Sequence, residues 1–151
     1  MKKIDETIQR GLLTELHCIE DITRMGFHCL RPISDASQYD IVVDINGKFY
    51  RIQCKSSSWV KDTKVEHTAF EFQACRSTVN TTTGFTRHKY SADEIDYFYT
   101  WFEGQGYLIS INEATGVAFR MRYEYPSTGQ KMGIHIADNY KIEEVLKTLA
   151  T

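Results

Sequence analysis

The sequence predicts a mixed β-sheet flanked by helices, an α/β (α+β) architecture, on three observations. Residues 5–25 carry apolar residues at Ile8, Leu12, Leu16, Ile19 and Ile22, the 3.6-residue period of an amphipathic helix. Two β-rich runs flank Asn46-Gly47, the strongest short hairpin signal. A second helical pattern, Tyr140 to Leu149, closes the chain. The order is helix, then mostly strand, then helix, within 151 residues, which fits one domain, 1–151, with no internal repeat.

Each element follows in turn. Gly26 is placed to cap the first helix. Residues 27–33 (FHCLRPI) read as a short strand and 34–38 (SDASQ) as a polar loop. Tyr39 to Ser57 is the hairpin. Residues 65–76 fit a strand or a short helix, and 77–91 a Thr-, Ser- and Asn-rich loop with a basic cluster. Asp96 to Phe102 and Tyr107 to Asn112 read as strands around Gly104-Gln105-Gly106, and 117–125 as a further strand. The run Tyr97, Phe98, Tyr99, Trp101, Phe102 is aromatic on both faces, which fits a strand buried on both sides or a subunit interface.

Composition narrows the function classes. Hydrophobic residues make up 42% and charged residues 25%, with only 2 Pro, so a disordered or collagen-like chain is excluded. No apolar run is long enough for a membrane span. The first residues, Met1-Lys2-Lys3-Ile4-Asp5-Glu6, turn acidic at once, which argues against export and for a cytoplasmic location. Cys18, Cys29, Cys54 and Cys75 form no CxxC, and His17, His28, His67, His88 and His135 are scattered. Buried free thiols, not a zinc site, are expected.

The hairpin carries the chemistry. A two-residue turn at Asn46-Gly47 sets Ile41 opposite Ile52 and Asp40 opposite Gln53, with Cβ atoms about 4.5–5.5 Å apart. Lys55 shares their face, roughly 6.7 Å along the strand. Ile41, Val43, Ile45, Tyr50, Ile52 and Cys54 form the opposite, hydrophobic face. A one-residue slip would separate the polar three. On the first helix, Glu15 lies among Leu12, Leu16 and Ile19, where a carboxylate is costly unless a cation pairs with it. Asp40, Gln53 and Glu15 offer the oxygen ligands that suit Mg²⁺, and Lys55 a positive charge. Beside a phosphodiester, that set would activate a water and stabilise charge on the phosphate. The alternative is a solvated cross-strand network with no chemistry.

At these residues the sequence resembles the PD-(D/E)XK nucleases. The pattern is a carboxylate in the first helix, an Asp opening a strand, then an acid-x-Lys on the next strand. Here it reads Glu15, Tyr39-Asp40 and Gln53-Cys54-Lys55. The segment KYSADEIDYFYTWFEGQGYLISI (Lys89 to Ile111) looks like a strand region of small bacterial and phage members. Tyr39 stands in place of Pro. Gln53 stands in place of Asp or Glu; its amide oxygen can still ligate a metal, with one formal charge fewer. The QxK variant looks most like the intron-encoded homing endonucleases of this type. The resemblance implies a restriction-endonuclease-like fold and a Mg²⁺-dependent, site-specific double-strand DNA endonuclease. It assigns Glu15, Asp40, Gln53 and Lys55 as catalytic and Asp40, Gln53 and Glu15 as metal ligands. The type member is a homotetramer. Same-fold alternatives are a Holliday-junction resolvase or repair-type nuclease, and a catalytically inactive DNA-binding module.

The net charge of −2 hides a gradient. Residues 1–46 carry −3, residues 47–91 carry +5 and residues 92–151 carry −4. The basic stretch holds Lys61, Lys64, Arg76, Arg87, His88 and Lys89, the expected DNA contacts, among Thr, Asn and Ser that bond phosphates and base edges. Arg120 and Arg122 could extend that surface. Cutting both strands requires two centres. A dimer or tetramer and a pseudo-palindromic duplex target are therefore expected.

Overall fold

The computed structural model describes residues 1–61 and 68–151. Helix α1 spans Glu6–Arg24, with the Asp5 carboxylate accepting the Thr7 and Ile8 N–H groups at its start. It ends in a Schellman arrangement: Gly26, at φ +84°, donates to the Thr23 carbonyl and Phe27 to the Ile22 carbonyl. The buried residues of α1 are Thr14, Cys18, Asp21 and Ile22. The expected stripe is therefore only partly the buried face. Ile22 lies in the core, but Ile8, Leu12 and Leu16 are exposed, with Leu13 beside them. Packing chose a face about a quarter-turn away, where small and polar side chains let the helix lie close to the sheet.

Strands β1 (His28–Leu30), β2 (Ile41–Ile45), β3 (Lys48–Cys54), β8 (Tyr97–Phe102) and β9 (Gln105–Ser110) form a five-stranded sheet in the order β1-β2-β3-β8-β9. The β2–β3 hairpin has the expected register, Ile41 facing Ile52 and Ile45 facing Lys48. Its turn, Asn46-Gly47, has both φ angles positive, at 56° and 83°. β3 pairs parallel to β8 while the other pairs are antiparallel, so the sheet is mixed. The β8–β9 turn is Glu103-Gly104, with φ 50° and 80°, and not Gly104-Gln105-Gly106. Gly106 already lies in β9, where a Cβ would collide with the Asp21 carboxylate and sit 2.7 Å from the Tyr99 hydroxyl. That Tyr99 hydroxyl donates to Asp21 Oδ2 at 2.7 Å, fixing α1 on the sheet.

The sheet has a core on each face. One joins α1, α2 (Ile142–Ala150) and the sheet through Cys18, Ile22, Ile41, Val43, Ile52, Tyr99 and Leu146. The other joins the sheet to a three-stranded sheet of β10 (Ala118–Arg122), β5 (Ala69–Gln73) and β4 (Ser58–Trp59), with Phe70, Phe72, Phe98, Ile109 and Met121. Both helices thus cover one face and the small sheet covers the other. The aromatic run of β8 is explained by this position: Phe98 fills one core and Tyr99 the other. No helix among the described residues is long and apolar enough to cross a membrane. The four cysteines are unpaired thiols.

The segment expected to be a loop, 77–91, is instead mostly a two-stranded ribbon, β6 (Cys75–Asn80) with β7 (Gly84–Lys89). The turn is Thr81-Thr82-Thr83, closed by Gly84 at φ +76° and by the Thr82 N–H donating to Asn80 Oδ1 at 2.8 Å. Nearly all of its residues are exposed, so the ribbon has no buried face to impose hydrophobic alternation.

Candidate active site

The site lies at the open end of the β2–β3 hairpin, opposite its turn. The Asp40 N–H donates to the Ile52 carbonyl at 2.9 Å, which continues the ladder one step beyond β2. The Asp40 carboxylate is thereby delivered to β3. Its Oδ2 accepts from Gln53 Nε2 at 2.8 Å and from the Cys54 N–H at 2.9 Å. Among the described residues no hydrogen bond or ion pair takes Oδ1, which leaves that oxygen for a ligand. Burial raises the Asp40 pKa from its ordinary value, against the pull of the Cys54 N–H, Lys55 and Arg31.

Glu15 faces this group from α1. Its carboxylate is 25% exposed and pairs with Arg31 Nη2 at 2.8 Å. Burial raises its pKa, the Asp40 charge raises it further, and Arg31 opposes both. The repulsion between two carboxylates is what a cation would relieve. Glu15, Arg31, Asp35, Ser37 and Asp40 line a polar cavity of about 130 Å³. The expected neighbours Leu12 and Leu16 are exposed, so Glu15's cost comes from the sheet side and from Asp40.

Lys55 completes the set just past β3. Its Nζ donates to the Cys75 carbonyl at 3.2 Å and lies 5.0 Å from the centre of the Tyr90 ring. Burial lowers its pKa, partly offset by Asp40. The acid and the lysine are therefore each pushed toward neutrality, a condition common where side chains do chemistry.

A divalent cation fits this donor set. Among the described residues no three His, Cys, Asp or Glu side chains converge on one point. A cation here would draw on two carboxylates, the Gln53 amide oxygen and water, as a hard ion with retained waters does. Gln53 turns its Nε2 to Asp40, so Oε1 is the atom free for that task.

The four expected DNA contacts on the ribbon do not share one face. Cross-strand register puts Arg76 opposite His88 on one side of the ribbon. Arg87 and Lys89 lie on the other, opposite Ser77 and Cys75. Arg76 Nη1 donates to Gln38 Oε1 at 2.6 Å, beside the site, and Lys89 Nζ to the Thr115 carbonyl at 3.0 Å. Lys61 is exposed beyond β4, and Lys64 falls outside the described residues. Arg120 is committed to Glu71 at 3.2 Å. Arg31 and Tyr90 were not foreseen. Both meet their partners only through tertiary contact, and no local periodicity marks them.

Residues 5–143 match the sequence model of the PD-(D/E)XK endonucleases. No curated protein matches the chain. Among solved structures, the bacterial homing endonuclease I-Ssp6803I superposes with a TM-score of 0.75 at 21% identity, over 97% of this chain and 97% of that one. The Holliday junction resolvase Hjc of the archaeal hyperthermophile Archaeoglobus fulgidus reaches 0.47 at 12% identity, over 91% of this chain and 95% of its own. At these identities the likeness to I-Ssp6803I is one of fold.

Proposed function

The chain belongs to the PD-(D/E)XK endonuclease family, and on that premise we propose that it is a Mg²⁺-dependent, site-specific double-strand DNA endonuclease of the homing type. The observation that carries this reading is the convergence of Asp40, Gln53 and Lys55 at the open end of one hairpin, with Glu15 facing them. The family uses divalent metal ions, and the donor set here has the hard oxygens that Mg²⁺ prefers. Asp40 and Glu15 supply the negative charge that holds the ion, and Gln53 a neutral oxygen. A bound ion would polarise the phosphoryl oxygen and acidify water. Lys55 keeps its ammonium at the same place, stabilising charge as it develops on the phosphate and orienting the attacking water. Arg31, already bound to Glu15, holds that carboxylate toward the cavity.

The ribbon supplies a groove-sized element, since a two-stranded β-ribbon fits the major groove. Arg76, Arg87, His88 and Lys89 then make phosphate or base contacts, with Lys61 extending the basic surface. The reading takes residues 1–151 as one nuclease domain, cytoplasmic, acting as a homo-oligomer on a pseudo-palindromic site. The exposed Ile8, Leu12, Leu13 and Leu16 of α1 support contact between copies.

Cleavage of a randomised duplex library, with sequencing of the cut ends, tests the proposal. Mg²⁺-dependent, sequence-selective double-strand ends that vanish with chelator are expected. Lys55→Ala is expected to cut at least ~10²-fold more slowly. Selective cutting of four-way junctions over linear duplex would move the reading to a resolvase. Binding without any product in Mg²⁺ or Mn²⁺, reversed by Gln53→Glu, would mark an inactive DNA-binding module.

A further inference from the structure

The ribbon and the candidate lysine are joined at the ribbon's base. Lys55 Nζ donates to the carbonyl of Cys75, the first residue of β6. The same ammonium lies 5.0 Å from the ring centre of Tyr90, the residue after β7. The two strand ends therefore hold Lys55 from both sides. Tyr90 is in turn fixed edge-on against Phe98 of β8, centroids 5.5 Å apart at 86°. Arg76, one residue into β6, reaches Gln38 and so ties the ribbon to the segment that delivers Asp40. An ammonium over an aromatic face is attracted by the ring quadrupole, the more so when partly shielded from water.

We propose that Tyr90 is a positioning residue for Lys55: its ring and the Cys75 carbonyl seat the ammonium from the ribbon's base, so the element that would meet DNA also fixes the charge that acts on the phosphate. The inference rests on the reading of Lys55 as a catalytic residue. A lysine has a long, flexible stem whose rotamer freedom must be restrained before its charge is useful. Here the restraint is a ring face and a carbonyl, neither of which neutralises the charge as a carboxylate would. The hydroxyl of Tyr90 is dispensable for this role and the ring is not.

Two substitutions and two readouts test it. Tyr90→Phe keeps the ring; Tyr90→Leu removes it and keeps apolar bulk beside Phe98. In NMR spectra, Overhauser contacts from the Lys55 ε-methylene to the backbone at Cys75 and Arg76 are expected in wild type and Tyr90→Phe, since the Lys55 ammonium sits on the Cys75 carbonyl. In Tyr90→Leu those contacts are expected to be lost. Single-turnover cutting is expected to fall at least ~10-fold in Tyr90→Leu and to be recovered to within ~3-fold by Tyr90→Phe, with the DNA dissociation constant unchanged within ~3-fold. Contacts from Lys55 to Cys75 that persist in Tyr90→Leu overturn the positioning role. Contacts that are lost while cutting stays at the wild-type rate overturn its functional consequence. Lys55→Ala, run beside them, separates the failures: if it cuts like wild type, the reading of Lys55 as catalytic is what fails, and the NMR comparison alone decides whether Tyr90 seats the lysine.

Discussion

Arg51 in β3 and Lys55 just past its end stand on the same face, on either side of Gln53, and meet opposite fates. Arg51 is fully matched. Its Nη2 and Nε each lie 3.0 Å from an Asp96 oxygen, its own N–H donates to Asp96 Oδ2 at 2.7 Å, and a further Nη2 bond reaches the Ala92 carbonyl at 2.9 Å. Burial of Asp96 opposes its ionisation, but the Arg51 hydrogen bonds outweigh it, and the Asp96 pKa is lowered. Those hydrogen bonds to Asp96 raise the Arg51 pKa. Four residues along, Lys55 bonds a carbonyl, and burial shifts both it and Asp40 toward their neutral forms. The first cluster closes the parallel β3–β8 junction. The second leaves charge unsatisfied where a cation and a phosphate would complete it.

Substitutions that remove charge should separate the two clusters. The largest expected effect is Asp40→Asn, which keeps an acceptor for the Cys54 N–H while removing the charge. DNA cutting should fall by at least ~10²-fold, and denaturant unfolding at pH 7 should show a variant at least as stable as wild type. A stability loss equal to that of a broken ion pair would make Asp40 structural. Next is Asp96→Asn, expected to cost about 1–3 kcal/mol through the half-buried guanidinium it leaves unpaired. Its cutting per folded molecule should stay at the wild-type level; an activity collapse without destabilisation would merge the clusters.

Acid titration of stability should then distinguish them by sign. The lowered Asp96 pKa contributes stability that is present above the unfolded value of about 3.9 and is lost as pH falls through the lower folded value. The gap between wild type and Asp96→Asn should therefore close in strong acid. The raised Asp40 pKa works the other way: its charged form costs stability above its folded value, and that cost disappears once pH drops below about 3.9. Any advantage of Asp40→Asn should thus be a neutral-pH effect. Unfolding curves from pH 7 downward measure both. The smallest effect belongs to the ribbon, outside both clusters. Arg87→Ala should change folding stability by less than about 0.5 kcal/mol and reduce the salt slope of DNA binding by about 1.

The parts of the molecule that were legible in the sequence are those fixed by neighbours in the chain. Asn46-Gly47 sets a two-residue turn, the turn sets the register, and the register sets Asp40 beside Gln53. The ribbon was missed because it is exposed on both faces, so no alternation marks it; its Thr-rich composition suits a loop as well as a strand. The buried face of α1 was misplaced because the apolar residues Ile8, Leu12 and Leu16 stay exposed while Thr14 and Asp21 go inside. The Thr14 hydroxyl bonds the Arg10 carbonyl, and Asp21 is satisfied by Tyr99. A polar residue with an internal partner is indistinguishable in sequence from one facing water.

Local sequence specifies the hairpin, its register and the acid, amide and lysine at its open end. A two-residue turn leaves the backbone few choices, and a period of two carries that choice along both strands. Their surroundings come from long-range packing: Arg31 on Glu15, the Cys75 carbonyl and Tyr90 ring on Lys55, and the parallel docking of β3 on β8 that places Arg51 against Asp96. Each of these contacts joins residues 16 to 45 positions apart. They exist because two cores fold the sheet between its layers, and no local propensity encodes where those layers close.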